Sequence, residues 1–541
     1  MGNRKVVIVG GVAAGASCAA RLRRLDEFAD IIILEKSSNV SYANCGMPYY
    51  IGKDISDASS LIVQSPQSLY KRFRIDVRCN SEVVSVDTVN KMVTVRDDEK
   101  EYQESYDQLV LTPGCHPRKL FVSLPSLRNV EDAVRIRESL DNAESVGVIG
   151  GGFIGIEVAE NLVKRGKKVT LFEYADHILT NLDPDIVSYL EDQLKSNGVE
   201  LLTSARIFSV TRDENGYTVE FNDGSTCRED YIVMAAGLLP STGFLEDSGI
   251  LLDEQGYIEV DEHMRTNVDD VYAAGDAVSV INLVTGKKAH IPLAGPANRQ
   301  GRIIADNLCG IESTYEGSLG TSIIRVFGLS GASVGLNTAQ ILKEYGKCET
   351  ICTHPSSHAT YYPGSSPLHI KIFYDKDTRK IYGAQAVGKE GVDKFIDVIS
   401  TVMILKGTVD DLARLEQAYA PPFLSAKSPA NYLGFVAGNE KEGLEELVTV
   451  EQALSDGNVL LDVRTDREYS LGAFKNSVHI PVDELRDRID ELSEYKDRII
   501  DVYCAVGVRG HIACRILKAY GFKARNITGA YTTYKAMKLD D

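Results

Sequence analysis

Two stretches of the chain repeat one order of apolar and polar positions. Val6-Val7-Ile8-Val9 runs into Gly10-Gly11-Val12-Ala13-Ala14-Gly15, a helix-patterned stretch reaches Leu25, and Ile31-Ile32-Ile33-Leu34 ends in Glu35. Further on, Val146-Gly147-Val148-Ile149 runs into Gly150-Gly151-Gly152-Phe153-Ile154-Gly155, a helical stretch reaches Arg165, and Val169-Thr170-Leu171-Phe172 ends in Glu173. Short unbroken apolar runs on either side of a helix signal buried parallel strands. Each stretch therefore predicts strand, glycine turn, helix, strand and terminal acid. A third short strand, Asp270-Val271-Tyr272-Ala273-Ala274, ends in Gly275-Asp276. From about Gly320 the pattern changes to alternation, as in Leu368-His369-Ile370-Lys371-Ile372-Phe373-Tyr374. The turn Asp375-Lys376-Asp377 and the run from Ile381 then predict a hairpin, and a helix follows from Gly391. The polar stretch Gly438-Asn439-Glu440-Lys441-Glu442-Gly443 reads as a linker. Beyond it lies a separate unit of about a hundred residues, enough for a small core.

Composition adds bounds. A chain of 541 residues is several times a single core, so about three to five structural units are expected. Lys+Arg total 59 against 77 Asp+Glu, a net charge of −18 that disfavours nucleic acid and anionic membranes as partners. Charged residues interrupt every apolar run before it reaches the length of a membrane span. Met1-Gly2-Asn3-Arg4-Lys5 leads directly into a strand-like run, with no export signal visible. Ten scattered cysteines then read as reduced thiols of a cytoplasmic protein, and none has metal-ligand spacing, Cys348 and Cys352 included.

The glycine turns carry the first chemistry. Glycines let backbone approach a pyrophosphate, whose charge sits on the helix N-terminus, while the later acid accepts from ribose hydroxyls. The second copy has all three fingerprint glycines, Gly150, Gly152 and Gly155, whereas the first has Val12 in the middle place. Together with Gly275-Asp276, the two copies resemble the pyridine nucleotide–disulfide oxidoreductase family. The resemblance implies an α/β chain of two Rossmann-like dinucleotide-binding domains, an α+β dimerisation domain and, as set out below, a C-terminal α/β rhodanese domain. FAD is implied for residues 1–112 and 251–320, through Gly10, Gly11, Ala14, Gly15, Glu35, Lys36, Gly275 and Asp276. The nicotinamide cofactor is implied for residues 113–250, through Gly150, Gly152, Gly155 and Glu173; NADH is favoured over NADPH, because Tyr174-Ala175-Asp176 adds no cation beside the acid. Residues 321–440 correspond to the dimerisation domain, which implies a homodimer.

Cys45 lies in Ser41-Tyr42-Ala43-Asn44-Cys45-Gly46-Met47-Pro48-Tyr49-Tyr50, a polar, glycine-containing loop. Dithiol members of the family carry a second cysteine five positions on, where this chain has Tyr50. A lone thiol must hold its oxidised form with an external thiol or as a sulfenic acid. The string resembles coenzyme A-disulfide reductases and their persulfide-reducing relatives. Ser17, Arg21, Arg24, Ser41, Asn44, Arg299 and Lys427 match coenzyme A-binding positions there, and arginine suits its phosphates. Phe73 departs from the pattern: a relative has a basic residue there, and either flanking Arg72 or Arg74 could substitute. Tyr361 and Tyr419 match tyrosines supplied to the active site by the opposite subunit, in a region where no His-Glu pair is visible.

Cys504 lies in Val502-Tyr503-Cys504-Ala505-Val506-Gly507-Val508-Arg509-Gly510-His511, where a strand delivers a thiol to a loop that opens a helix near Arg509. Loop N–H groups and the helix dipole stabilise a thiolate or persulfide anion. With Val459–Arg464 and Val478-His479-Ile480-Pro481, residues 444–541 resemble a rhodanese sulfurtransferase. Read together, the resemblances imply electrons passing from NADH through FAD to a mixed disulfide of Cys45 with coenzyme A. The Cys45 thiolate then attacks coenzyme A disulfide, persulfide or polysulfide, while Cys504 moves sulfane sulfur from donors. Two alternatives stand beside this reading. One is an NADH oxidase or peroxidase cycling Cys45 as sulfenic acid, and the other is a redox sensor docking a sulfur-carrier partner.

Overall fold

The computed structural model describes residues 4–121 and 124–538, so the reading of Met1-Gly2-Asn3 lies outside the described residues. The chain divides into two compact units, one running to Ile178 with Asn197–Gly320, the other comprising Leu179–Ser196 and the chain from Thr321.

The first unit contains both repeats as parallel sheets. In one, the strand Lys5–Val9 lies between Asp30–Leu34 and Gln108–Leu111, with Asp76–Arg78 and Val271–Ala273 at the edges. In the other, Ser145–Ile149 lies between Lys168–Phe172 and Tyr231–Met234, with Val199–Leu202 outermost. The expected helices are Ala13–Leu25 and Phe153–Lys164. Val6, Val7 and Ile8 are wholly buried, as a strand covered on both faces requires. Two antiparallel three-stranded sheets are appended, Glu82–Asp87 with its neighbours and Ile207–Asp213 with its own.

The second unit contains an antiparallel five-stranded sheet built on Leu368–Tyr374 and Ile381–Gly388, the expected hairpin, followed by the helix Val392–Ile404 capped at Gly391. A parallel five-stranded sheet centred on Ile499–Tyr503 forms the C-terminal portion. Two expectations need correction. Residues 438–441 are not linker but the last turn of the helix Pro429–Lys441. Their polar side chains are matched: Glu440 accepts from Arg379 at 2.8 Å, and Lys441 donates to Asp410 at 2.6 Å. Residues 179–196, placed by sequence within the nicotinamide domain, belong to the second unit. There Asp183 and Asp185 flank the buried Lys371 ammonium at 2.8 and 3.0 Å, and paired burial of this kind is what a charge in a core demands.

Candidate active site

The two glycine turns use their acids in the same way. Glu35 Oε2 accepts from Gly11 N at 2.8 Å and its Oε1 from Ser37 N at 2.9 Å. Glu173 Oε2 accepts from Gly151 N at 2.6 Å and its Oε1 from Ala175 N at 2.7 Å. Each carboxylate is thereby fixed at the turn, with lone pairs left for ribose hydroxyls. Close approach explains the glycines: a Cβ on Gly15 would lie 2.0 Å from the Gly10 carbonyl oxygen, and one on Gly155 1.9 Å from that of Gly150. A Cβ on Gly152 would meet nothing within 4 Å, so the space above this turn is open to a ligand. A cavity of about 540 Å³ lies in the first unit, lined among others by Lys36, Glu82, Val83 and His116. Lys36 at its wall pairs with Glu82 at 2.5 Å. Gly275, at φ +85°, donates to Gln300 at 2.8 Å, and burial pushes the Asp276 carboxyl upward. This donor and acceptor set fits a flavin dinucleotide in the first fold, and the cavity borders it only through Lys36.

Cys45 sits in a single 3₁₀ turn, Asn44–Gly46, that leads into the short helix Met47–Ile51, a more ordered setting than the loop expected. The residue is exposed, whereas Tyr50, in the place of a second cysteine, is buried beneath the Arg137 guanidinium at 4.2 Å. Asn44 presents a buried Oδ1 without a partner. Partial burial, followed by the carboxylates of Glu157 and Asp276, holds the Cys45 thiol above its usual range. Glu157 itself, accepting from the Tyr49 hydroxyl at 3.4 Å, is pushed up by burial to about 7. A carboxyl that titrates near neutrality beside a thiol is a candidate proton carrier. Because its charged form opposes the thiolate, Glu157→Gln is expected to speed Cys45 alkylation about threefold at pH 7.5 and to displace its pH profile downward. An unchanged or upward-displaced profile would show that Glu157 does not act on the thiol.

The candidate coenzyme A positions separate into groups. Ser17, Arg21 and Arg24 lie on the helix Ala13–Leu25, which packs against Ala294–Leu308, the helix carrying Arg299. Ser17 bonds Asn298, and Arg21 is already paired with Asp306 at 2.8 Å; Arg24 and Arg299 are exposed. Ser41, at φ +48°, donates its N–H to Gly11, tying the Cys45 segment to the first glycine turn. Phe73 packs on the core, Arg74 stacks over Tyr70 at 5.2 Å, and Arg72 is exposed. Lys427 is exposed in the second unit, where the hydroxyls of Tyr361 and Tyr419 meet at 2.9 Å with both rings largely exposed.

In the C-terminal portion, Cys504 follows the strand Ile499–Tyr503 and precedes the helix Val508–Ala519. Gly507, at φ +111°, aims its N–H at the Cys504 sulfur at 3.1 Å. Asn526 holds the Gly507 carbonyl at 3.2 Å and is itself held by the buried Glu445 at 2.6 Å. Arg509 makes a bidentate pair with Glu468 at 2.6 and 2.7 Å. Unlike Cys45, Cys504 is wholly buried beneath its loop.

Residues 4–301 match the family model described as pyridine nucleotide-disulphide oxidoreductase, and 322–429 match that family's dimerisation domain. The chain belongs to the pyridine nucleotide-disulphide oxidoreductase family. Residues 447–537 match a rhodanese-like domain. Over 441 residues, the chain is 37% identical to a coenzyme A disulfide reductase of Staphylococcus aureus, covering 80% of this chain and 99% of the relative. Among solved structures it resembles the reduced CoADR-RHD of Bacillus anthracis, at 41% identity and TM-score 0.95, over 100% of this chain and 99% of that one. It also resembles an NAD-dependent persulfide reductase of A. fulgidus, at 35% identity and TM-score 0.90, over 98% of this chain and 100% of that one. The α/β architecture with two dinucleotide folds, dimerisation domain and rhodanese domain is therefore shown, and the protein is an oxidoreductase.

Within this oxidoreductase, sequence reasoning passed over Glu157, two residues beyond the last fingerprint glycine, because a helical glutamate usually faces solvent. It also passed over Arg206. This residue, beyond the strand Val199–Leu202, lies over the Tyr174 ring at 5.1 Å and donates to its hydroxyl at 3.1 Å. A cation is therefore held by Tyr174, the residue next to Glu173. Among the described residues, no helix is long and apolar enough to cross a membrane, and no group of three or more His, Cys, Asp or Glu could hold a metal ion.

Proposed function

We propose that the protein is an NADH-dependent reductase of coenzyme A disulfide and of coenzyme A persulfide or polysulfide, acting through the single thiol of Cys45, with a sulfurtransferase site at Cys504. The observation that carries this reading is the exposed Cys45 thiol with a buried tyrosine, not a cysteine, five residues on. Bound FAD, held by the first glycine turn, Glu35 and Asp276, would relay an electron pair between the nicotinamide and sulfur. The Cys45 thiolate attacks the disulfide or persulfide, forming a Cys45–coenzyme A mixed disulfide and releasing coenzyme A thiolate or sulfide; two electrons then cleave the mixed disulfide. Glu157, poised near pH 7, takes up and returns the proton that moves with the thiol. In a homodimer, the partner subunit's Tyr361 and the partner subunit's Tyr419 would donate to the leaving thiolate. Arg24, Arg299, Lys427, Ser17, Ser41 and Asn44 offer phosphate and amide contacts, and Arg21 joins them where the ligand competes with Asp306. The similarity to a coenzyme A disulfide reductase and a persulfide reductase supports this substrate class.

Steady-state NADH oxidation against coenzyme A disulfide, coenzyme A persulfide, polysulfide and peroxide tests the reading. Turnover with the coenzyme A species is expected to dominate; turnover with peroxide alone would replace this reading by a peroxidase cycling Cys45 as sulfenic acid.

Cofactor choice follows from Glu173. Its fixed carboxylate would repel a ribose phosphate, while Arg206 is engaged on Tyr174. Glu173→Ala removes the repulsion and leaves Arg206 to supply a cation, so the preference for NADH over NADPH in kcat/KM is expected to fall about tenfold or more. Equal efficiency with NADPH in the unmodified protein would overturn this assignment.

A further inference from the structure

The Cys504 loop is held from outside its own sheet. The Cys504 carbonyl accepts from Tyr531 N at 3.0 Å, and the Ala505 carbonyl accepts from Thr532 N at 3.0 Å and Thr532 Oγ1 at 2.8 Å. Tyr531 and Thr532 open the short helix Ala530–Ala536. The residues just before and after them are gripped by the dimerisation domain. Cys352, on the strand Glu349–Thr353, donates to Thr528 Oγ1 at 2.8 Å and accepts from Gly529 N at 3.0 Å. His354 Nε2 lies 3.1 Å from the Gly529 carbonyl and 3.0 Å from Thr533 Oγ1. The fit is close: a Cβ on Gly529, at φ +71°, would lie 2.8 Å from that of Cys352 and 2.1 Å from Thr533 Oγ1.

The imidazole at this seam has one possible proton arrangement. A carbonyl only accepts, so His354 Nε2 carries the proton, and its Nδ1 accepts from His369 Nδ1 at 2.8 Å. Burial holds both rings far below the usual imidazole range, His354 to about 3 and His369 to about 4, so the pair is neutral at working pH. His369 is braced in turn by stacking on Tyr189 at 4.0 Å.

We infer that His354 is a positioning residue for the Cys504 loop, so that the sulfur-transfer site is held in register by the domain on which it docks. The inference rests on the reading of Cys504 as a sulfur-transfer thiol only for its catalytic consequence. One residue, Ala530, separates the His354 contact at Gly529 from the bond to Cys504 at Tyr531. A side chain lost on the dimerisation domain is therefore felt at the loop whose Gly507 N–H faces the sulfur.

The test uses the full-length protein with its cofactors bound. In His354→Ala, amide hydrogen exchange in residues 503–508 is expected to quicken about tenfold, together with that of 528–533. The kcat for sulfur transfer from a persulfide donor is expected to fall about tenfold with KM unchanged. His354→Gln, whose amide can donate to Gly529 and accept from His369, is expected to restore both, and NADH-driven reduction of coenzyme A disulfide stays within twofold throughout, roughly the limit of assay comparison. Should His354→Ala not fold, Thr533→Val removes one of the two contacts of His354 Nε2 and is expected to quicken exchange in 503–508 about threefold. Faster exchange confined to 528–533, with 503–508 unchanged, would overturn the inference. Absence of sulfur transfer in the unmodified protein would overturn the sulfurtransferase reading instead, while the exchange comparison still decides the role of His354.

Discussion

Cys45→Ser is expected to bind FAD and accept hydride as the unmodified protein does, yet to lose reduction of coenzyme A disulfide and persulfide by at least about a thousandfold. A serine hydroxyl does not ionise at neutral pH and forms no disulfide, so neither the attack nor the mixed disulfide is available to it. Among the nine other cysteines none stands within the motif to take over, because position 50 is tyrosine. The comparison to make is anaerobic flavin bleaching by NADH beside steady-state turnover. Bleaching with turnover lost is the expected pair of results; turnover retained above a few per cent, a rough ceiling for residual solution chemistry, would remove Cys45 from the centre of the account.

Cys504→Ser is expected to have the complementary outcome. Serine is nearly isosteric with the buried thiol and can still accept from Gly507 N–H, so the loop keeps its shape. Sulfur transfer from thiosulfate or a persulfide donor should disappear, and NADH-driven coenzyme A disulfide reduction should remain within about twofold. Measured with both assays on one preparation, equal loss of the two activities would mean that the sites share a step. The seam at Cys352 and His354 ties down the Cys504 loop backbone and makes no contact with Cys45.

The features legible in the sequence are those whose physics is local. The strands before Gly10 and Gly150, the helices after them and the acids Glu35 and Glu173 lie within a few dozen residues of one another, and a single requirement, close approach of backbone to a pyrophosphate, fixes their spacing. Cys45 and Cys504 were visible for the same reason, each being framed by its own short motif. Groups assembled from distant segments were not. Arg206 reaches Tyr174 from beyond another strand, and His354 meets Gly529 and Thr533 across 175 and 179 residues. Glu157 had a legible position but not a legible environment, since burial raises its carboxyl. The misread linker shows the converse. Polar composition alone suggested an unstructured 438–443, whereas Arg379, Lys376 and Asp410 supply the opposite charges that let Glu440 and Lys441 end a helix.

The central claim is that the oxidised form of Cys45 is a mixed disulfide with coenzyme A. Peptide mass spectrometry of the unmodified protein after coenzyme A disulfide is added without NADH tests it most directly, with and without a sulfenic acid trap such as dimedone. The account predicts one coenzyme A on the peptide containing Cys45, released by NADH and absent in Cys45→Ser. A peptide that carries the dimedone adduct and no coenzyme A would contradict it.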